Sequence, residues 1–363
     1  MKDLARRAAL ARAALAALDD DDRPTQTLEV DGHAVALTRL DRVYWPADAA
    51  LATPAITKRD LIRHLVAFSP RMLPHVVDRP LTIFRWPEGI LRRRVLQKHP
   101  ETRIPAYVAT ARIFSDAKGI DDTYLLCNNL ATLVWLGEMG GLEIHVWHSR
   151  VRGGDDAPGA SEETWGSTRA VVASIVERPD YLLFDLDPYI YAGDEAPGAE
   201  PMPSGDAFRR GKEAAFWLKD VLDGMSIKSF VKTSGKTGLH VLAPIVRTLR
   251  YDAVREVARV ISEHLLHEHP QALTTEWDTA KRRGRIFLDH KMNVRGKSII
   301  APWGTRGLPG APISLPLTWT ELARVEAPQL VRVANARARL KRADPWADLE
   351  AGKQDLARKI AGA

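Results

Sequence analysis

The stretch Asp180-Tyr-Leu-Leu-Phe-Asp-Leu-Asp-Pro188 constrains this chain most: a short apolar run that closes on two aspartates one leucine apart. Side chains alternate along a strand, so Asp185 and Asp187 project from one side while Leu182 and Phe184 pack elsewhere along the run. Two carboxylates that close repel each other. Unless a cation sits between them, one is driven toward its protonated form, so the pair reads as an oxygen-ligand site for Mg²⁺ or Mn²⁺. Such pairs are also common at strand ends and in turns, and the rest of the chain must decide between the two.

A chain of 363 residues with 45% hydrophobic content can bury a large core in one or two domains. Its one cysteine, Cys127, permits no internal disulfide, and no apolar stretch is long enough to span a bilayer; both fit a reducing cytoplasm and no membrane partner. A net charge of +6 is compatible with phosphate-bearing partners. Met1 to Leu18, rich in Ala and Arg, superficially matches an organelle-targeting helix. Arg12 breaks any secretory apolar region, and the acidic run Asp19 to Asp22 reads as the solvated end of an extra helix.

Periodicity and turn residues place a hairpin over Leu28 to Leu37 around Asp31-Gly32, a helix over Lys58 to Phe68, and a strand over Leu81 to Trp86. A helix over Asn128 to Gly137 and a strand over Leu142 to Trp147 follow, then a flexible surface connection over Gly153 to Glu163. After the aspartate strand comes Tyr189 to Gly205, rich in Pro, Gly and Ala, and a helix over Asp206 to Leu222 with Ser204 as cap. Strands are expected at Ile227 to Lys232, Leu239 to Ile245, Arg285 to Asp289 and Ser298 to Ala301, with a helix over Asp252 to Leu266. The tail from Thr318 reads as helical, broken at Pro328 and Pro345. Runs of strands with interspersed helices predict an α+β fold.

Three features stand beside the aspartate pair. Thr233-Ser-Gly-Lys-Thr-Gly-Leu-His240 contains Gly-Lys-Thr, but a Walker A loop needs a glycine where this chain has Phe230, and an apolar strand follows instead of a helix. It reads better as a tight strand-to-strand loop: Gly235 and Gly238 let backbone N–H groups approach an anion, and Ser234, Lys236, Thr237 and His240 converge on it. Arg285-Ile-Phe-Leu-Asp289 is a second apolar strand ending in an acid, the third carboxylate that two-metal phosphoryl transfer requires. Lys281, Arg282, Arg283 and Arg285, then Lys297 and Arg306, supply charge suited to a triphosphate. Arg92, Arg93, Arg94, Lys98 and His99, with Trp86 nearby, form a separate basic and aromatic stretch suited to a nucleic-acid backbone.

Taken in order, Asp-Leu-Asp-Pro, Ser-Gly-x-x-Gly-Leu-His and an apolar strand ending in Asp289 resemble the three signature motifs of the archaeo-eukaryotic primase superfamily. More closely, the chain resembles the polymerase domain of bacterial ligase D, used in non-homologous end joining, and its stand-alone primase-polymerase relatives. The likeness runs from about Leu37 to Leu322 and includes Arg85-Trp-Pro, Leu142-Glu-Ile-His145 and Ile300-Ala-Pro-Trp-Gly-Thr-Arg306.

The resemblance implies a primase-polymerase core in which two sheets form a central cleft flanked by helices. The catalytic domain is expected over 27–325, with halves at about 27–152 and 166–325; the residues add a helical extension over 1–26, which departs from the family, and a helical tail over 326–363. Asp185, Asp187 and Asp289 would hold two Mn²⁺ or Mg²⁺ ions, and Ser234, Gly235, Lys236, Thr237, Gly238 and His240 would bind the NTP or dNTP. Arg282, Lys297 and Arg306 would contact the triphosphate, and His145 would lie with Ser234 near the sugar, where the family favours ribonucleotides. Arg42 and Lys58 match positions that grip the 5′-phosphate of a recessed DNA end, with Arg85 and Lys98 as further DNA contacts.

The implied activity is primer extension and gap filling at DNA ends in a cytoplasmic, nucleoid-associated setting, with Ku and a DNA ligase as partners. Synthesis of primers de novo, and DNA-end bridging with little catalysis, are the alternatives. The chain departs from the family at Val95-Leu96, where many relatives carry an aromatic pair, and in the longer Tyr189 to Gly205 connection. It contains no Lys-x-Asp-Gly ligase motif, which suits either a stand-alone enzyme or one domain of a longer polypeptide.

Overall fold

The computed structural model describes residues 2–100, 103–189 and 205–362. Helix α1 (Lys2–Asp19) leads into a hairpin of β1 (Gln26–Val30) and β2 (His33–Leu37), a short pair β3 (Val43–Trp45) and β4 (Ile56–Thr57), and helix α2 (Lys58–Val76). Next come β5 (Leu81–Arg85), β6 (Val95–Gln97), a hairpin of β7 (Thr110–Ser115) and β8 (Ile120–Leu125), α3 (Leu130–Glu138), β9 (Gly141–Trp147) and α4 (Thr168–Ala173). The second half runs through β10 (Tyr181–Asp187), α5 (Gly205–Gly224), β11 (Phe230–Thr233), β12 (Leu239–Pro244), α6 (Tyr251–Glu268), β13 (Leu273–Thr274) and β14 (Ile286–Asp289). It closes with β15 (Ser298–Ile300), β16 (Pro316–Leu317), α7 (Trp319–Arg324), α8 (Val333–Ala336) and α9 (Leu356–Ala361).

Two sheets organise these elements, in the α+β class that the pattern of strands and helices predicts. The larger has strand order β13-β14-β10-β12-β11-β16 and the smaller β15-β9-β5-β6. Every pairing is antiparallel except that of β13 with β14. Along β10, Leu182, Phe184 and Leu186 face α5 and α6, packing with Leu218, Leu222, Val254 and Ile261. Tyr181 and Leu183 take the other face, in a cluster with Phe230, Leu242, Ile299 and Trp346, and the two aspartates continue that face. In the smaller sheet, Leu142, Ile144 and Val146 of β9 join Leu81 and Ile83 of β5 against α2 and α3, leaving Glu143, His145 and Trp147 on the opposite side. Strand β15, which follows the third aspartate, pairs with β9, so the second half of the chain completes the sheet of the first.

A buried charged cluster ties the two sheets together. Arg79, just before β5, and Asp180, just before β10, are both 0% exposed and pair at 2.9 Å. The Arg79 guanidinium also donates to the Tyr181 hydroxyl and the Trp147 carbonyl, while Lys353 of the tail reaches Asp180 at 3.1 Å. A second tie is Asn293: its side chain accepts from Leu183 N–H at 2.9 Å and donates to Leu183 C=O at 2.7 Å, standing in for a strand at the edge of β10. Asn293→Ala would orphan both groups in the interior; we expect a loss of ~2 kcal/mol in denaturant unfolding, within the usual range for buried unpaired polar groups.

Several elements differ from the sequence-based expectation. Helix α2 does not stop at Phe68 but runs through Pro70 and Pro74 to Val76. Its buried stripe continues through Met72, Leu73 and Val76, and the Ser69 hydroxyl donates to the Val66 carbonyl that Pro70 cannot serve. The β7–β8 hairpin was not anticipated. Gly153 to Glu163 is anchored rather than loose: Asp156 takes Arg247 and Lys353, and Glu162 accepts from Gly153 N–H. The tail is helical only in short pieces, because Trp346 and Leu349 are drawn into the cluster at Tyr181 and Phe230. Ser204, read as a helix cap, and residues 190–204 of the Tyr189 to Gly205 connection lie outside the described residues. Among the described residues no helix is long and apolar enough to cross a membrane.

Candidate active site

Strand register brings the site together. Asp185 pairs with Asp289 on one side and with His240 on the other, and His240 pairs with Lys232. Directly opposed residues share a face, so Asp289, Asp185, His240 and Lys232 form a row across four strands, with Asp187 one pleat further along β10. Lys232 is wholly buried, its ammonium 2.7 Å from His240 Nδ1 and 2.6 Å from Ser314 Oγ. The other imidazole nitrogen stands 3.5 Å from Asp185 Oδ1. Burial and the neighbouring Lys232 and Arg306 charges hold His240 well below its ordinary value, so the ring is neutral.

Asp185 keeps 29% of its side chain open to the cleft, yet its carboxyl is pushed up to about 8 by burial and by the repulsion of Asp187 and Asp289. Burial also raises Asp289, against a backbone bond from Lys291 N–H. Among the described residues, no three acidic, histidine or cysteine side chains already stand close enough together to hold an ion. Asp185 and Asp187 face an open cavity, and Asp289 is the register partner of Asp185. This donor set fits Mg²⁺ or Mn²⁺, hard cations that relieve carboxylate repulsion and commonly keep water and substrate phosphate as their remaining ligands.

A cavity of about 200 Å³ opens beside the aspartates where the two sheets meet. His145, Asp185, Asp187, Ser234, Lys236, Thr237, Gly238, His240 and Arg306 line it, together with Tyr189, Met292 and Ser298 to Ile300. The β11–β12 loop does not present its amides to open space as expected. The N–H groups of Lys236, Thr237 and Gly238 donate to Ser234 Oγ at 3.2, 3.2 and 3.0 Å. A hydroxyl that accepts from amides still has its own proton to donate into the cavity. Gly235 has φ +73° and no room for a Cβ against the Ile313 backbone, while a Cβ on Gly238 would collide with the Leu186 carbonyl.

The remaining basic residues do not line this cavity. Lys98 and Lys297 meet in a second one of about 480 Å³ with Thr82, Trp147 and Arg295, bounded on one side by Asp116. Arg282 donates to the Glu276 and Trp277 carbonyls and lies 3.6 Å from the centre of the Phe287 ring, Phe287 being the register partner of Asp187. Arg42 donates to the Pro87 carbonyl, and Arg85 to Met139 C=O and Gln97. Lys58, which matches a position that grips a 5′-phosphate, is here 4% exposed, 2.8 Å from Glu138 Oε1 and 2.8 Å from the Thr38 carbonyl. Its charge is therefore already neutralised within the fold.

Glu143, Lys232 and Tyr189 were not anticipated. Lys236 places its ammonium 5.6 Å from the centre of the Tyr189 ring. Lys232, a lone cation in an apolar strand, and Glu143, two positions before His145, both carried a readable alternation signal.

A row of carboxylates on neighbouring strands, facing a polar cavity between two sheets, defines a nucleotidyltransferase core, and comparison with known proteins places the chain within that class. The chain belongs to the family described as LigD, primase-polymerase domain, which matches residues 57–346. It is 27% identical over 301 residues to the bifunctional non-homologous end joining protein LigD of Bacillus subtilis, covering 82% of this chain and 42% of that protein. With the multifunctional non-homologous end joining protein LigD of Mycolicibacterium smegmatis the identity is 26% over 292 residues, covering 80% of this chain and 33% of the relative. The chain thus spans less than half the length of these relatives. Its structure is similar to the polymerase domain of Mycobacterium tuberculosis ligase D in complex with DNA, with a TM-score of 0.71 and 26% identity, over 88% of this chain and 99% of that one.

Proposed function

We propose that this chain extends a primer along a DNA template with NTPs or dNTPs in a reaction that depends on a divalent cation and prefers ribonucleotides. One observation carries the reading: Asp185 and Asp289 oppose each other in register, with Asp187 beside them on the same face, at the edge of the cavity that Ser234, His145 and Arg306 line. In this reading the primer 3′-hydroxyl attacks the α-phosphate, a new P–O bond forms, the α–β bridging bond breaks, and pyrophosphate leaves. Mg²⁺ or Mn²⁺ held by Asp185, Asp187 and Asp289 would supply the charge that favours hydroxyl ionisation and offsets charge on the leaving oxygens.

The chain's own groups position the reactants. The Ser234 hydroxyl, Lys236 and Arg306 offer donors and positive charge for the triphosphate, and Lys232 holds His240 against Asp185 so that the carboxylate keeps its place in the cleft. The cavity between Lys98 and Lys297 offers positive charge beside the site, Lys297 for the triphosphate and Lys98 for DNA; Arg282 would meet the triphosphate, and Arg42, Lys58 and Arg85 the DNA, only by giving up contacts they now hold.

DNA as the partner is supported by the structural neighbour, which was solved with DNA, and action at recessed or gapped ends with Ku and a ligase by the names of the relatives. The catalytic domain would span about 27–325. The test is extension on a gapped duplex with a 5′-phosphate, run with Mg²⁺ or Mn²⁺ and with NTPs or dNTPs. Template-directed addition with a ribonucleotide preference is expected; no addition under any combination overturns the reading. An unprimed template in parallel separates extension from primer synthesis de novo.

A further inference from the structure

Glu143 leaves β9 on the same face as His145, one pleat before it. It is 7% exposed and lies behind the cavity wall, yet its contacts all run to that wall or its immediate neighbour. Oε1 accepts from Gly307 N–H at 2.9 Å. Oε2 lies 3.1 Å from His145 Nε2 and 3.4 Å from Arg306 Nη1. One carboxylate thus joins a strand of the smaller sheet to the loop after β15, the two elements that bring His145 and Arg306 to the cavity.

Donor and acceptor chemistry then fixes the imidazole. A carboxylate only accepts, so its contact with Nε2 requires the ring proton there. Arg306 Nη1 also approaches Nε2, at 3.5 Å, but a guanidinium only donates, and a single ring nitrogen cannot serve both. The shorter contact, to a charged acceptor, wins. Arg306 donates to the carboxylate instead, and His145 Nδ1 is left as a lone-pair acceptor. Burial keeps the His145 ring below its ordinary value and therefore neutral; burial would raise Glu143, but the bond from His145 and the Arg306 charge outweigh it and keep the carboxylate ionised.

We infer that Glu143 is a positioning residue for sugar selection: it holds His145 in the Nε2–H tautomer, with Arg306 beside it, so that the nucleotide site presents an acceptor to the ribose 2′-hydroxyl. The inference rests on the nucleotide-binding reading above. A ribose donates to that acceptor, and a deoxyribose has no 2′ proton to give. Glu143 touches no substrate; it acts through His145.

The test pairs kinetics with a spectroscopic readout. In extension assays on gapped DNA, Glu143→Ala is expected to lower kcat/KM for NTPs about 3- to 10-fold more than for dNTPs, the scale of one lost hydrogen bond. Adding Glu143→Ala to a His145→Ala background is expected to leave the NTP to dNTP ratio unchanged. In ¹⁵N-histidine spectra of the full chain, with His145 assigned from its loss in His145→Ala, the wild type is expected to carry its proton on Nε2. Glu143→Gln, whose amide can donate to Nε2, is expected to move it to Nδ1. Melting temperatures check folding, and Glu143→Gln retains an acceptor for Gly307 if the alanine variant does not fold. A wild-type His145 protonated on Nδ1, or an NTP to dNTP ratio that Glu143→Ala leaves unmoved while His145→Ala shifts it, overturns the inference. Failure of the wild type to extend any primer would count against the function reading, and the spectra would still judge the Glu143–His145 coupling.

Discussion

Asp185→Ala combined with Asp187→Ala should cut primer extension by about 10³-fold or more, the scale of the several kcal/mol that metal-bound carboxylates contribute to phosphoryl transfer. The same change should leave the melting temperature of the ion-free protein unchanged or raised. Asp185 sits beside two like charges and carries a desolvation cost that drives its carboxyl up, so the native fold holds it under repulsion. Removing two of three repelling groups relieves that cost. The pairing of outcomes is what discriminates: gapped-duplex extension with Mn²⁺ measures the first, and differential scanning fluorimetry without added metal measures the second. Extension at wild-type rate would remove the aspartates from the mechanism. A fall in melting temperature alongside lost activity would mean only that the site had unfolded.

Asp180→Ala is expected to act in the opposite sense, costing ~3–5 kcal/mol of folding stability, as removal of one partner from a buried ion pair does. Arg79 would keep its charge with 0% exposure and lose the carboxylate 2.9 Å away, and Arg247 and Lys353 would lose a shared partner. Because a domain's net stability is of order 5–15 kcal/mol, this is a large fraction of the whole. The effect should depend on pH. Burial by itself would raise the Asp180 carboxyl, but Arg79, Arg150, Lys353 and Arg247 together hold it well below the usual carboxylate range. A group depressed in the folded state contributes fully above its unfolded value, near 4, and loses that contribution as pH falls toward the folded value. The stability gap between wild type and Asp180→Asn should therefore be constant near neutrality and shrink below about pH 4. Urea unfolding across that range measures it; a gap that widened in acid would contradict the assignment.

Both predictions fall on β10 or the residue just before it, and the strand shows how far sequence reaches. The alternation of Tyr181 to Asp187 was legible because a period of two is a property of one strand: it places Asp185 and Asp187 on a single face. The tight loop between β11 and β12 was legible from Gly235 and Gly238, and Asp289 from the apolar run before it. Arg282 and Lys58 were legible as cations but not as placed cations. One lies against Phe287 and the other pairs with Glu138, eighty positions away along the chain. A basic residue reads identically whether a phosphate or an internal carboxylate neutralises it.

By itself, then, the amino-acid order determined which residues share a face of each strand, where the chain must turn through glycine, and the order of motifs that marks the primase-polymerase family. Tertiary structure alone decided which faces meet. The strand order β14-β10-β12-β11 sets Asp289, Asp185, His240 and Lys232 in one row, and the pairing of β15 with β9 brings the loop carrying Arg306 to Glu143 and His145. The physical reason is that side-chain period is local and strand pairing is not: register is chosen by the burial of whole faces against helices and against each other, which no single segment encodes.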